Sequence, residues 1–147
     1  MVSRAFSVED GNPSNKSIVV STVSSFSDID LTFEKKPSGD IYKKFEAAAV
    51  KQSVKNILLT NETEKPFNPY FGAGLHAFLF ELDYDFDEDI VREEIVSSIE
   101  NYEPRAQVTN IKVSLISASN EVRITVKFKV VGYDQIQTLD LSMARLR

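Results

Sequence analysis

Asp83, Asp85, Asp87 and Glu94 stand at positions 1, 3, 5 and 12 of a calcium-loop template, with apolar Ile90 at position 8. Position 6, where the sharp turn of such a loop requires glycine, is Glu88. The run therefore reads better as the acidic first turn of a helix capped by Asp87, where carboxylates offset unsatisfied amides. Glycoside hydrolysis needs two carboxyls at a set separation, one of them raised in pKa within a cleft. Glu94 or Glu103 could be matched with Glu62 or Glu64, but among 22 acidic residues a pair can always be drawn. His76, the single histidine, has no cysteine or second histidine to join it and no serine-elbow motif, so it reads as a partly buried helix residue. Gly72-Ala73-Gly74 lacks both the Lys-Ser/Thr and the third glycine of a phosphate loop. No catalytic, cofactor-binding or metal-binding residue is nominated, and the chain is read as a non-enzyme. Glu103-Pro104-Arg105 differs in kind. Its proline holds an acid and a base on either side of a corner, and arginine can form a bidentate contact with a carboxylate or a carbonyl cluster.

The elements that position these residues follow from composition and periodicity. At 147 residues and 42% apolar content the chain suits one domain with a real core. A net charge of −5 argues against nucleic acid or an anionic membrane as a partner, since phosphate binding depends on clustered cations. With no cysteine, disulfides and thiolate metal sites are excluded. No apolar run approaches a membrane span, and residues 1–27 lack the apolar core of a secretory signal, so a soluble, unexported chain is expected. Residues 1–27 are serine-rich, with a single β-branched run at Ile18, Val19 and Val20, and read as an extended arm or an unstructured leader. The domain is placed at 28–147.

Ile29, Leu31 and Phe33 alternate with polar residues, which predicts a strand with one buried face. The cluster Lys36 to Asp40 then turns the chain into a hairpin with Ile41 and Phe45 on the return. A helix starts near Glu46, with Ala47, Val50, Val54, Ile57 and Leu58 on its stripe. Between Leu58 and Glu81, two prolines, two glycines and the aromatics Phe67, Tyr70 and Phe71 predict a loop pinned to the core by aromatic burial, followed by a short helix over 72–80. A second helix carries Ile90, Val91, Ile95, Val96 and Ile99 and stops at Pro104. Ile111 to Leu115, Val122 to Val130 and Leu139 to Met143 alternate as three strands of an antiparallel meander. The fold class is α+β, a compact single domain of helices on an antiparallel sheet with an N-terminal arm.

Several blocks stand in one order: Ala49-Val50-Lys51-Gln52-Ser53-Val54, Glu64-Lys65-Pro66-Phe67-Asn68-Pro69-Tyr70-Phe71-Gly72, Leu79-Phe80-Glu81, Glu103-Pro104-Arg105 and the closing meander. Together, over about residues 28–143, they resemble the baseplate wedge family of contractile-tailed phages named after the phage T4 gene 25 product, which is related to a baseplate component of type VI secretion systems. The family usually shows Gly-Glu-Arg before the first proline, where this chain has Thr63-Glu64-Lys65. The resemblance implies a structural wedge subunit of the virion tail baseplate, assembled in the host cytoplasm. It would bind the wedge core bundle and other wedge proteins, and offer the platform for the first ring of tail sheath protein. It implies no nucleic acid, membrane or small-molecule partner. Glu103, Pro104 and Arg105 would then carry the wedge contact. The family also bears a lysozyme label, which makes a murein-degrading hydrolase the alternative. Independently, the last strand, with Leu139 and Leu141, would be a sheet edge whose unpaired N–H and C=O groups invite a strand from a neighbour.

Overall fold

The computed structural model describes residues 26–80, 87–116 and 121–144. A short hairpin of β1 (Ser27–Ile29) and β2 (Lys43–Phe45) leads directly into helix α1 (Glu46–Leu59). A long loop containing the 3-10 turn Ala77–Phe80 connects to helix α2 (Glu88–Tyr102). Strands β3 (Ala106–Ile116), β4 (Glu121–Val130) and β5 (Ile136–Ala144) follow as a three-stranded antiparallel sheet in the order β3-β4-β5. Both helices pack on one face of this sheet.

The core is built by period-2 alternation meeting two helical stripes. Val122, Ile124, Val126, Phe128 and Val130 of β4 are all buried, flanked by Ile111 and Val113 of β3 and by Leu139, Leu141 and Met143 of β5. Against them lie Val50, Val54 and Leu58 of α1 and Val91, Ile95 and Ile99 of α2. The register of β3 against β4 shifts by one residue between Val108 and Asn110, while the pairing of β4 with β5 is continuous. The helix starting at Glu46, the Asp87 cap and the stop before Pro104 all match the sequence reading; the Asp87 carboxylate accepts from the Asp89 amide at 2.8 Å. Ile90 is the exception on α2. The buried stripe is centred on Val91, Ile95, Ser98 and Ile99, and Ile90 lies one 100° step outside it, exposed.

Two expectations are corrected. The strand foreseen through Phe33 stops at Ile29, and Ile29, Leu31 and Phe33 are exposed. The reason is local: the Asp30 side chain accepts from the Thr32 amide at 3.0 Å and the Asp30 carbonyl accepts from the Phe33 amide at 3.1 Å, a turn that competes with the ladder. The second concerns the loop before α2. Phe67 is wholly exposed (106%) and Tyr70 is 76% exposed, while Gly72, Ala73 and Leu75 are the residues that enter the core. Of the short helix expected over 72–80, only the 3-10 turn forms.

Candidate functional site

The corner at Glu103-Pro104-Arg105 is made by the end of α2. Glu103 is the C-cap, its amide still donating to the Ile99 carbonyl at 2.7 Å, and proline at the next position prevents another helical turn. Its carbonyl accepts from the Ala106 amide at 2.9 Å, which starts β3. The two charged side chains meet each other across the proline. Arg105 donates from Nε to Glu103 Oε1 at 2.5 Å and from a terminal nitrogen to Oε2 at 2.7 Å, a bidentate fork. Glu103 is only 2% exposed, so its carboxylate faces inward, whereas the Arg105 side chain is 39% exposed. Burial pushes the Glu103 carboxyl upward, but hydrogen bonds from Arg105 and Ser53 and the Arg105 charge outweigh it and hold the pKa below its ordinary value. The same guanidinium stacks over the Phe26 ring at 4.8 Å. Phe26 in turn accepts the Glu46 amide at 2.7 Å, so the fork braces the entry of the chain into the domain.

The sheet supplies the second feature. Leu139 and Leu141 point into the core, at 5% and 7% exposure, so β5 can offer a partner only its backbone and its outer face. Which backbone groups are available follows from parity. The Val131 amide donates to the Arg105 carbonyl, so odd-numbered β4 residues bond toward β3 and even-numbered ones toward β5. Register then makes Gln137, Leu139, Leu141 and Met143 the partners of β4. The amides and carbonyls of Ile136, Thr138, Asp140 and Ser142 point to the open side, where no strand lies among the described residues.

Other nominated groups are dispersed. Asp83 and Asp85 lie outside the described residues, Asp87 is occupied as a helix cap, and Glu94 lies 3.3 Å from the Ser98 hydroxyl, sharing its single proton with the Gly72 carbonyl. Glu64 is tied to the Asn61 amide at 2.9 Å and to the Asn61 side chain at 2.8 Å, bonds that lower its pKa. His76 is exposed ahead of the 3-10 turn, not part of a helix.

Three residues passed unremarked in the sequence do much of the bracing. Gln52, buried at 7%, donates from Nε2 to the Ile29 carbonyl at 2.7 Å and accepts from the Leu31 amide at 3.3 Å, acting as a stub of strand that docks the hairpin on α1. Ser98 donates to the Gly72 carbonyl at 3.2 Å, and the Tyr102 hydroxyl to the Tyr70 carbonyl at 2.6 Å. The signal for Gln52 was a polar residue set between Val50 and Val54; Ser98 and Tyr102 left no comparable mark.

The model of the family described as baseplate wedge protein gp25 matches residues 46–135, more than half of the chain. The chain belongs to this family. The gp25 baseplate wedge protein of Enterobacteria phage T4 is 28% identical over 120 residues, covering 81% of this chain and 91% of the phage protein. The fold is also found in a candidate tail lysozyme from Geobacter sulfurreducens, with a TM-score of 0.59 at 20% identity over 67% of this chain and 90% of that one. A chain of the anti-feeding prophage baseplate gives a TM-score of 0.58 at 17% identity, covering 82% of this chain and 86% of its own. Thr63, in the loop before the first proline, takes a left-handed φ of 71°, a conformation glycine would adopt without strain.

Proposed function

We propose that this chain is a structural subunit of a contractile-tail baseplate, which joins the core bundle of the wedge at the end of α2 and presents β5 as the template for the first sheath subunits. The observation that carries the reading is the nine-residue edge strand β5, whose outward row of amides and carbonyls is unpaired among the described residues. Long open edges are usually blunted in monomers, and strand addition is a standard way to use one. The wedge contact is assigned to the corner at Glu103, Pro104 and Arg105, with Leu139 and Leu141 holding β5 flat from beneath. Because Glu103 is buried and forked to Arg105, its part is to fix the corner, and exposed Pro104 with the free side of Arg105 forms the contact. Assembly of such a subunit takes place in the host cytoplasm before it enters the virion.

A murein-cleaving activity finds no support in the acids nominated for it. A general acid needs a raised pKa. The resolved shifts of Glu64 and Glu103 are both downward.

Deleting β5 would remove Leu139, Leu141 and Met143 from the core, so the edge is tested with single prolines instead. Thr138→Pro and Ser142→Pro remove only outward amides and leave the ladder to β4 intact. The expected outcome in a particle assembly assay is complete baseplates without extended sheath. Sheaths of normal length on either variant would overturn the proposal.

A further inference from the structure

Among the described residues, the most exposed large apolar side chains, Phe67 and Tyr70, sit on a loop, residues 60–73, held at many points. Phe67 has its entire side chain in solvent, and Tyr70 most of it. The Thr63 amide donates to the Pro69 carbonyl at 2.7 Å, Tyr102 and Ser98 of α2 hold the carbonyls of Tyr70 and Gly72, and Phe71 packs on the Tyr102 ring at 4.9 Å. Gly72 is packed so tightly that a Cβ there would lie 2.2 Å from the Thr60 carbonyl oxygen. Phe67 itself takes a left-handed φ of 65°, a region disfavoured for an aromatic residue. A strained backbone that displays a phenyl ring to water gives the isolated chain nothing. It does preorganise an aromatic anchor, which lowers the cost of ordering on binding.

We infer that Phe67 and Tyr70 form a knob that inserts into an apolar pocket on another protein of the baseplate wedge, as part of the same contact as the α2 corner. The inference rests on the wedge-subunit reading. Continuity supports it: the loop is fastened to Tyr102, the residue immediately before Glu103. The charges flanking the tip are already engaged, Glu64 by Asn61 and Lys65 over the Phe71 ring at 3.8 Å, so the tip offers apolar surface to its receptor. A bilayer is the less suitable receptor, because the chain carries a net charge of −5.

The test uses the full chain with the purified wedge proteins of the same particle. Phe67→Ala and Tyr70→Ala should each weaken binding to the purified wedge complex by about 30-fold, the effect of truncating an interface hot spot. Phe67→Gly should bind as weakly as Phe67→Ala while its Tm is no lower than that of the wild type, since glycine relieves the backbone. A 4-fluorophenylalanine at position 67 should lose solvent contact in the complex. Wild-type affinity in Phe67→Ala would overturn the knob and leave the wedge reading standing. Failure of the wild-type chain to bind the wedge complex would overturn both. Burial of the fluorine label in anionic lipid vesicles, and not in the wedge complex, would overturn the knob in favour of a membrane contact.

Discussion

At the scale of single residues the informative pair is Glu103 and Arg105. The sequence made them two charges displayed on either side of a proline; the structure turns one inward and forks them together, because a carboxylate at 2% exposure requires a partner. Their energetics are asymmetric. Arg105→Ala strands a buried carboxylate and should cost on the order of 2 kcal/mol, below the 3–5 kcal/mol of a fully buried pair because Arg105 is partly exposed. Removing Glu103 as well should restore part of that loss. The pH dependence carries a sign. With its folded pKa lowered from the ordinary 4.5, Glu103 contributes stability that is present above that value and is lost as pH falls through the lowered one. In Arg105→Ala, burial, the largest single influence on Glu103, is opposed only by the Ser53 hydrogen bond and the backbone amide at 105, so protonation costs the variant less than the wild type and the gap between them should narrow as the pH falls from 7 toward 4. Urea unfolding at several pH values checks this; a gap independent of pH would show that the fork is not what stabilises the corner. None of this was legible from spacing alone, which shows that two charges are near a turn but not which way each side chain points.

At the scale of elements, what could be read and what could not divide on one physical ground. The alternation in β4 and the stripes of α1 and α2 are periodic signals, and the meander and both helix starts came out where periodicity placed them. The hairpin formed, but the burial expected of its first strand and of the loop's aromatics did not, because alternation and aromatic content report the capacity to be buried, not the presence of a covering partner. Phe67, Tyr70, Ile29, Leu31 and Phe33 are all exposed for that reason. The loop's shape is set instead by backbone constraints, which predict opposite signs for two exchanges. Gly72→Ala places a Cβ against the Thr60 carbonyl at a φ of 113° and should cost more than about 2 kcal/mol. Thr63→Gly, at a φ of 71°, should gain about 0.5 kcal/mol, the relief of left-handed strain less the added freedom of the unfolded chain. Thermal unfolding of both variants measures the two signs, and a stabilised Gly72→Ala would contradict the close approach.

At the scale of the whole molecule, the domain is a sheet with one face covered by helices, edges at β3 and β5 that pair with no further strand among the described residues, and an aromatic loop held out from the end of α2. Under the proposed role in a baseplate, each of these features would meet a neighbour, which is a reason for a small domain of the baseplate wedge family to keep them. That the last strand would be an edge was expected from its place at the end of the meander, without the strand order being readable; that the leucines of β5 face the core, leaving only alternate backbone groups for a partner, needed the register. The most direct measurement is amide hydrogen exchange along β5, in the free chain and in baseplates carrying the first sheath ring. In the free chain, Leu139, Leu141 and Met143 should be protected and Thr138, Asp140 and Ser142 should exchange rapidly. In the sheathed particle both sets should be protected. Continued rapid exchange at Thr138, Asp140 and Ser142 beneath a completed sheath would contradict the account.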